Sequence, residues 1–398
     1  MREISNLNNW NHSRLSVFQR LNETIMAGLE IIAAEGRSAL KDFIDLPWEI
    51  YAKYPQWVPP LKKDVRRMLD PRRHPFWEFS ERRLFLARRD SKTVGRIAGI
   101  IDRHYNEFHD EKMGIWGFFE CSYDPEAAAA LFSAVETWVR QQGMTFIRGP
   151  LNPSPNYEAG LLIEGFDYPP VLGMTYNPPY YSRLVESCGF IKEKDLLAFL
   201  IEDPYQVPEW MDRLAERLAH KKGVHIRPFS PQDQDSEFLL IKEIYNDSWA
   251  GNWGFVPLSE NEIRDIQKDV MKFADTDLAF FIYYEQEPVA VCVVLPDLNP
   301  VLKRLNGRMG LLGLLKLLMY RTEVRGLRGF IFGVKEKYRQ LGFPLLATHH
   351  LYEIVRTKGK YHYMEMGWCL EDNESINFLI EEAGVKTHKR YRLYRKSL

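Results

Sequence analysis

The chain is expected to be α/β, built from two tandem copies of one mixed, mostly antiparallel sheet flanked by helices. Three observations predict this. Two hairpin-like segments, 85–102 and 281–297, lie nearly 200 residues apart. Each is followed by an apolar strand, 115–120 or 329–334, and an amphipathic helix that stops at a glycine, Gly143 or Gly359. Each half then closes with a helix, a glycine and a last strand: Gly189 and 195–201 in the first, Gly384 and 390–394 in the second. Repetition of a whole order of elements weighs more than any single motif. Strands followed by alternating strand and helix make an α/β sheet.

A length of 398 residues suits two domains. The expected organisation is an N-terminal arm over 1–38, a first domain over 39–203, a linking helix over 204–222 and a second domain over 223–398. The arm is polar, with one helical stretch and no counterpart in the second half. Asp203-Pro204 and Val207-Pro208 mark the boundary. The second domain opens with a strand at 224–229 and a helix from about Asp233 to Trp249.

A formal net charge of −1 gives no general reason to expect nucleic acid. Cys121, Cys188, Cys292 and Cys369 are far apart, which argues against a zinc site or a disulfide framework. Histidines including His349, His350 and His362 show no ligand spacing, and no metal is expected. The apolar run 309–320 is too short to span a bilayer and contains Lys316, and no signal peptide is evident. A cytoplasmic protein is expected.

The chemistry concentrates where the strand 329–334 meets a helix-like run from Leu345 to Lys358. Between them stand Arg339, Gln340, Leu341, Gly342 and Phe343, then Pro344. Free amides and partial positive charge at a helix start can hold a diphosphate. Gly342 lets the backbone approach an anion, and proline suits the first helical turn. This segment resembles the pyrophosphate loop of the GCN5-related N-acetyltransferases, Arg/Gln-x-x-Gly-x-Gly/Ala, with Arg339 and Gly342 matching and Pro344 departing from the pattern. The resemblance covers most of 224–398 and, by element order alone, about 80–202. It implies a tandem protein whose first half is degenerate, because Asp124 and Glu126 stand where its loop would be.

The resemblance further implies acetyl-CoA or another acyl-CoA as co-substrate, and a backbone N–H around Phe332, Gly333 and Val334 facing the thioester oxygen. Gly333 would permit a bulge there. Asn373 would open the last helix. The family's tyrosine acid is replaced by Ile380, and by Val185 in the first half. Tyr338 is a substitute candidate. Glu365, a carboxylate in an apolar strand, is either a general base with a raised pKa or a partner of a buried cation. The Pro-, Gly-, Asn- and Tyr-rich stretch 149–181 offers Asn152, Asn156, Tyr157, Tyr176 and Asn177 to an amine acceptor, a small molecule or a peptide.

The expected activity is acyl-CoA-dependent N-acyl transfer, with acetyl as the expected group. A non-catalytic acyl-CoA sensor and a Fem-like aminoacyl transferase remain open as alternatives. The basic stretch 303–328 could touch a membrane surface, but docking on the body of the fold is the favoured reading.

Overall fold

The computed structural model describes residues 28–203, 208–310, 315–316 and 319–398. The first half contributes Leu29–Ala33 (β1), Ser80–Arg89 (β2), Lys92–Asp102 (β3), Met113–Cys121 (β4) and Phe146–Gly149 (β5), which neighbour one another in chain order. Leu151–Asn152 (β6) pairs with Glu158–Ala159 (β7), and Leu161–Glu164 (β8) and Ile191–Ile201 (β9) complete this half. The second half repeats the order with Val224–Pro228 (β10), Ala279–Tyr284 (β11), Glu287–Pro296 (β12), Gly326–Val334 (β13), Tyr363–Leu370 (β14) and Thr387–Ser397 (β15).

Both expected hairpins form. Each turns on two residues in the left-handed region, Asp90 and Ser91 (φ 49° and 67°) and Glu285 and Gln286 (φ 50° and 74°). Such turns match the right-handed twist of the flanking strands. β1, inside the stretch read as an arm without counterpart, stands against β2 as β10 stands against β11. Residues 1–27 lie outside the described residues.

Helices cover the sheet. In the first half they are Gly36–Ile50 (α1), Lys62–Met68 (α2), Arg103–His109 (α3), Pro125–Gln141 (α4) and Tyr181–Ser187 (α5). In the second they are Glu209–Ala219 (α6), Gln234–Trp249 (α7), Glu260–Val270 (α8), Asn299–Leu305 (α9), Phe343–Lys358 (α10) and Glu374–Glu382 (α11). α4 turns Leu131, Phe132, Val135 and Val139 into the core, where each fully buried side chain contributes about 1.5–3 kcal/mol. The sequence reading did not include α8. It starts at a capping box in which Ser259 and Glu262 satisfy each other's backbone amides.

The two halves do not close on themselves. β15 lies between β5 and β9, and β9 lies between β15 and β14. Each half thus lends its last strand to the other, and the described strands other than β6 and β7 form a single 13-stranded sheet. β5 and β14, which would otherwise be open edges, are paired by this exchange.

At the end of β3, Asp102 accepts a hydrogen bond of 3.0 Å from the Tyr105 amide and so starts α3. Burial nevertheless pushes its carboxyl up to about 6, against the pull of that amide. The native state therefore holds a proton that the unfolded chain has released, and stability falls as pH rises from the ordinary carboxylate value to about 6. Asp102→Asn keeps a cap without the charge. Its stability relative to the parent should rise by about 2.4 kcal/mol between pH 4 and 7, measured by urea unfolding. A pH-independent difference would show that Asp102 does not carry this linkage.

Candidate active site

β13 and β14 run parallel only from Gly326–Tyr363 to Gly329–Met366, and then diverge. Three ladder irregularities surround the point of divergence. Phe330 is an extra residue in β13 opposite β12, Gly367 and Trp368 straddle a shift between β14 and β9, and His388 is an extra residue in β15 opposite β9. Bulges re-aim side chains and bend strands apart. The bulge in β13 falls at Phe330, not at Gly333. Gly333 instead allows close approach, since a Cβ there would lie 2.5 Å from Ser248 Oγ.

The divergence opens a cavity of about 1440 Å3 that extends between the halves. It is lined by Ile331, Phe332, Gly333 and Val334 of β13, the Arg339–Gly342 segment, and Asn373, Ile376 and Ile380 around α11. Also lining it are Tyr245, Trp249 and Phe255 from α7 and the chain after it, and Asn156, Tyr157, Tyr168 and Leu172 of the first half. The lining is largely apolar.

Between β13 and α10, Glu336–Leu341 makes a 3₁₀ turn, and Gly342 takes the left-handed conformation (φ 78°) that redirects the chain into α10. Pro344 occupies the first helical turn, and Phe343 is buried. Arg339 donates a 2.5 Å hydrogen bond to the Ser248 carbonyl, tying the loop to α7. Arg339, Gln340 and Gly342 line the cavity, and Leu341 packs partly buried against the core. A glycine at a helix start, beside a deep cleft between diverging strands, fits a diphosphate-bearing thioester. Asn373 precedes α11 but makes no side-chain cap, and Asn377 bonds the Leu370 carbonyl instead.

The first half has the same divergence, with β4 and β5 paired only over 113–115 and 146–148. There the chain fills its own gap. A Cβ at Gly117 would lie 1.9 Å from the Leu151 carbonyl oxygen, and one at Gly149 would lie 2.2 Å from that of Trp116. Asn152 Oδ1 accepts from the Phe118 amide at 2.6 Å, at a bulge. The start of α4 is capped by the Asp124 carboxylate, which Arg89 also binds.

The residues expected to meet an acceptor separate into two groups. Asn156 and Tyr157 reach the cavity, and both link the halves. Asn156 donates to the Val256 carbonyl (3.1 Å) and accepts from Tyr245 (2.9 Å), while Tyr157 donates to Glu262 (3.1 Å). Asn152, Tyr176 and Asn177 do not line the cavity. Tyr176 donates to the Phe166 carbonyl, and Asn177 satisfies the backbone of Leu162 on both sides. Tyr338 also lies outside the cavity lining, donating to Glu287 at 2.5 Å.

Glu365 is buried at 1% exposure and does not line the cavity. Its Oε2 accepts from His388 Nε2 and Lys389 Nζ, both at 2.7 Å. Burial alone would raise its pKa, but the hydrogen bonds from His388 and Lys389 and the charge of Lys389 hold it below the ordinary carboxylate value. It is therefore not a base with a raised pKa but the partner of a buried cation. Lys389 Nζ also donates to the Pro169 carbonyl (2.8 Å), and Asn299 Nδ2 to that of Pro170 (2.6 Å), which pins the first half's loop over the site. His388, Arg328 and Trp368 line the cavity and were not singled out from the sequence. The one signal for His388 was Glu365 itself, a carboxylate in need of a partner.

This fold is that of the tandem proteins of the GCN5-related N-acetyltransferase superfamily. A tandem protein of that superfamily from the clavulanic acid biosynthesis pathway superposes with a TM-score of 0.55 at 12% identity, covering 93% of this chain and 98% of its own. No family model matches the chain. The chain is 34% identical over 382 residues to the bacterial ceramide synthase of Caulobacter vibrioides, spanning 94% of this chain and 98% of that protein, and it belongs to the same family. Protein YghO of Escherichia coli K12 is 33% identical over 375 residues, 91% of this chain and 94% of its own.

Proposed function

We propose that the protein transfers a long-chain acyl group from an acyl-CoA thioester to the amino group of a long-chain amino alcohol. The observation that carries this reading is the size and lining of the cavity. At about 1440 Å3 it exceeds the roughly 300–1,000 Å3 that suits a drug-sized ligand. An acetyl group would leave most of it unfilled. Ile331, Phe332, Leu345, Met366 and Ile376 offer an apolar surface for alkyl chains. Kinship with a bacterial ceramide synthase supports the same reading, since a ceramide is the amide of a long acyl chain and a long-chain amino alcohol.

In this reading the Arg339–Gly342 loop holds the CoA diphosphate, and the thioester lies along β13 within the cleft. The acceptor enters from the α7 side, against Tyr245 and the loop of Asn156 and Tyr157. Among the described residues, no helix is long and apolar enough to cross a membrane.

The test is to incubate purified protein with palmitoyl-CoA and sphinganine, following CoA release and amide formation by mass spectrometry. Amide is expected with the long-chain donor, and kcat/KM with acetyl-CoA should be at least about 100-fold lower, as expected for a site that uses alkyl contacts to bind. Native mass spectrometry should show one acyl-CoA per chain, because the first half's cleft is filled by Leu151 and Asn152. Acyl-CoA binding without any amide from a panel of amines would instead identify a non-catalytic binding protein.

A further inference from the structure

We infer that His388 accepts the amine proton in the amide-forming step and that Glu365 positions it; this inference rests on the acyltransferase reading above. Successive side chains of a regular strand point to opposite faces, so neighbours such as His388 and Lys389 would not normally reach one carboxylate. The extra residue in β15 removes that restriction. Both side chains meet Glu365 Oε2 at 2.7 Å.

The hydrogen bond sets the tautomer. His388 Nε2 carries the proton given to Glu365, which leaves the Nδ1 lone pair as acceptor. Nδ1 is buried and, among the described residues, has no hydrogen-bond partner. His388 is among the residues that line the cavity, as are Arg328 and Trp368, where β13 and β14 part. A buried carboxylate that holds one imidazole nitrogen while the other stays free is the arrangement used to aim a general base. Lys389 keeps that carboxylate charged without entering the cavity.

In the step, the amine nitrogen forms the C–N bond to the thioester carbon, and the C–S bond breaks. The amine proton passes to His388 Nδ1, and the imidazolium returns it to the departing thiolate, giving the amide and free CoA thiol. One residue thus serves both transfers. This accounts for Ile380, which cannot donate a proton, at the position where the superfamily's tyrosine is expected.

The experiment uses the full chain with palmitoyl-CoA and sphinganine. His388→Gln fills nearly the same space and can still donate to Glu365, but cannot take a proton. It should lower kcat by about 10²–10⁴-fold while palmitoyl-CoA affinity, measured by calorimetry, stays within about twofold. In His388→Ala, added imidazole should restore part of the rate. Glu365→Asp, which shortens the carboxylate but keeps its charge, should lower kcat and leave KM for the amine unchanged. An inactive parent would defeat the acyltransferase reading. An active parent with His388→Gln turning over within about threefold of it would overturn this inference alone. A loss of rate that merely tracks a loss of palmitoyl-CoA binding would overturn it too, by giving His388 a structural role.

Discussion

Gly342→Glu is expected to abolish acyl-CoA binding, a loss of more than about 100-fold. Gly342 lies at φ 78°, so any side chain there is strained by about 1–3 kcal/mol. A Cβ would also stand 2.7 Å from Leu218 Cδ1, which can give way because it is the end of a side chain. Strain alone therefore lowers stability without closing the site. The glutamate carboxylate adds charge repulsion, since it would stand at the start of α10, the site proposed for the diphosphate. Gly342→Ala separates the two effects: it should share the strain and lose far less affinity. Arg339→Ala should weaken binding by about 1.5–3 kcal/mol, as expected for a hydrogen bond to a charged group. Equal palmitoyl-CoA affinity by calorimetry in the parent and all three variants would exclude this loop as the anchor.

The second large effect concerns stability. Lys389→Met leaves Glu365 buried without its cation and should cost about 3–5 kcal/mol in urea unfolding. The loss reflects an uncompensated charge more than a missing bond. Lys389→Met combined with Glu365→Leu, which removes both charges, should therefore recover at least half of it. A single variant that loses less than about 1 kcal/mol, the value of an exposed pair, would mean that water reaches the carboxylate. The double variant would also lose the positioning of His388, so stability and turnover should part company.

The repeat, both hairpins, the loop before α10 and the extents of α7 and α10 were legible in the sequence. These features are set by contacts within a few residues. Polar two-residue turns, apolar alternation and glycines at helix ends act locally, and local preference agreed with the fold. Gly342 was identifiable because its conformation is needed where it stands.

The exchange of closing strands was not legible. Nothing in the sequences of β9 and β15 names a partner, and either could have paired within its own half; only the continuous sheet decides it. The pairing of Glu365 with His388 was hidden for the same reason. The two lie on strands separated by β9, and the residue that brings His388 round is a bulge, which leaves no mark in the sequence. The stretch 149–181 was visible as rigid and polar, but not how its side chains are used. Asn152 closes the first half's cleft, whereas Asn156 joins the halves at the cavity. What the sequence by itself determined is the repeated order of elements and the left-handed turn at Gly342, because neighbours along the chain specify them. Which cleft stays open, and which imidazole lines it, was decided only when the two halves packed and shared their last strands.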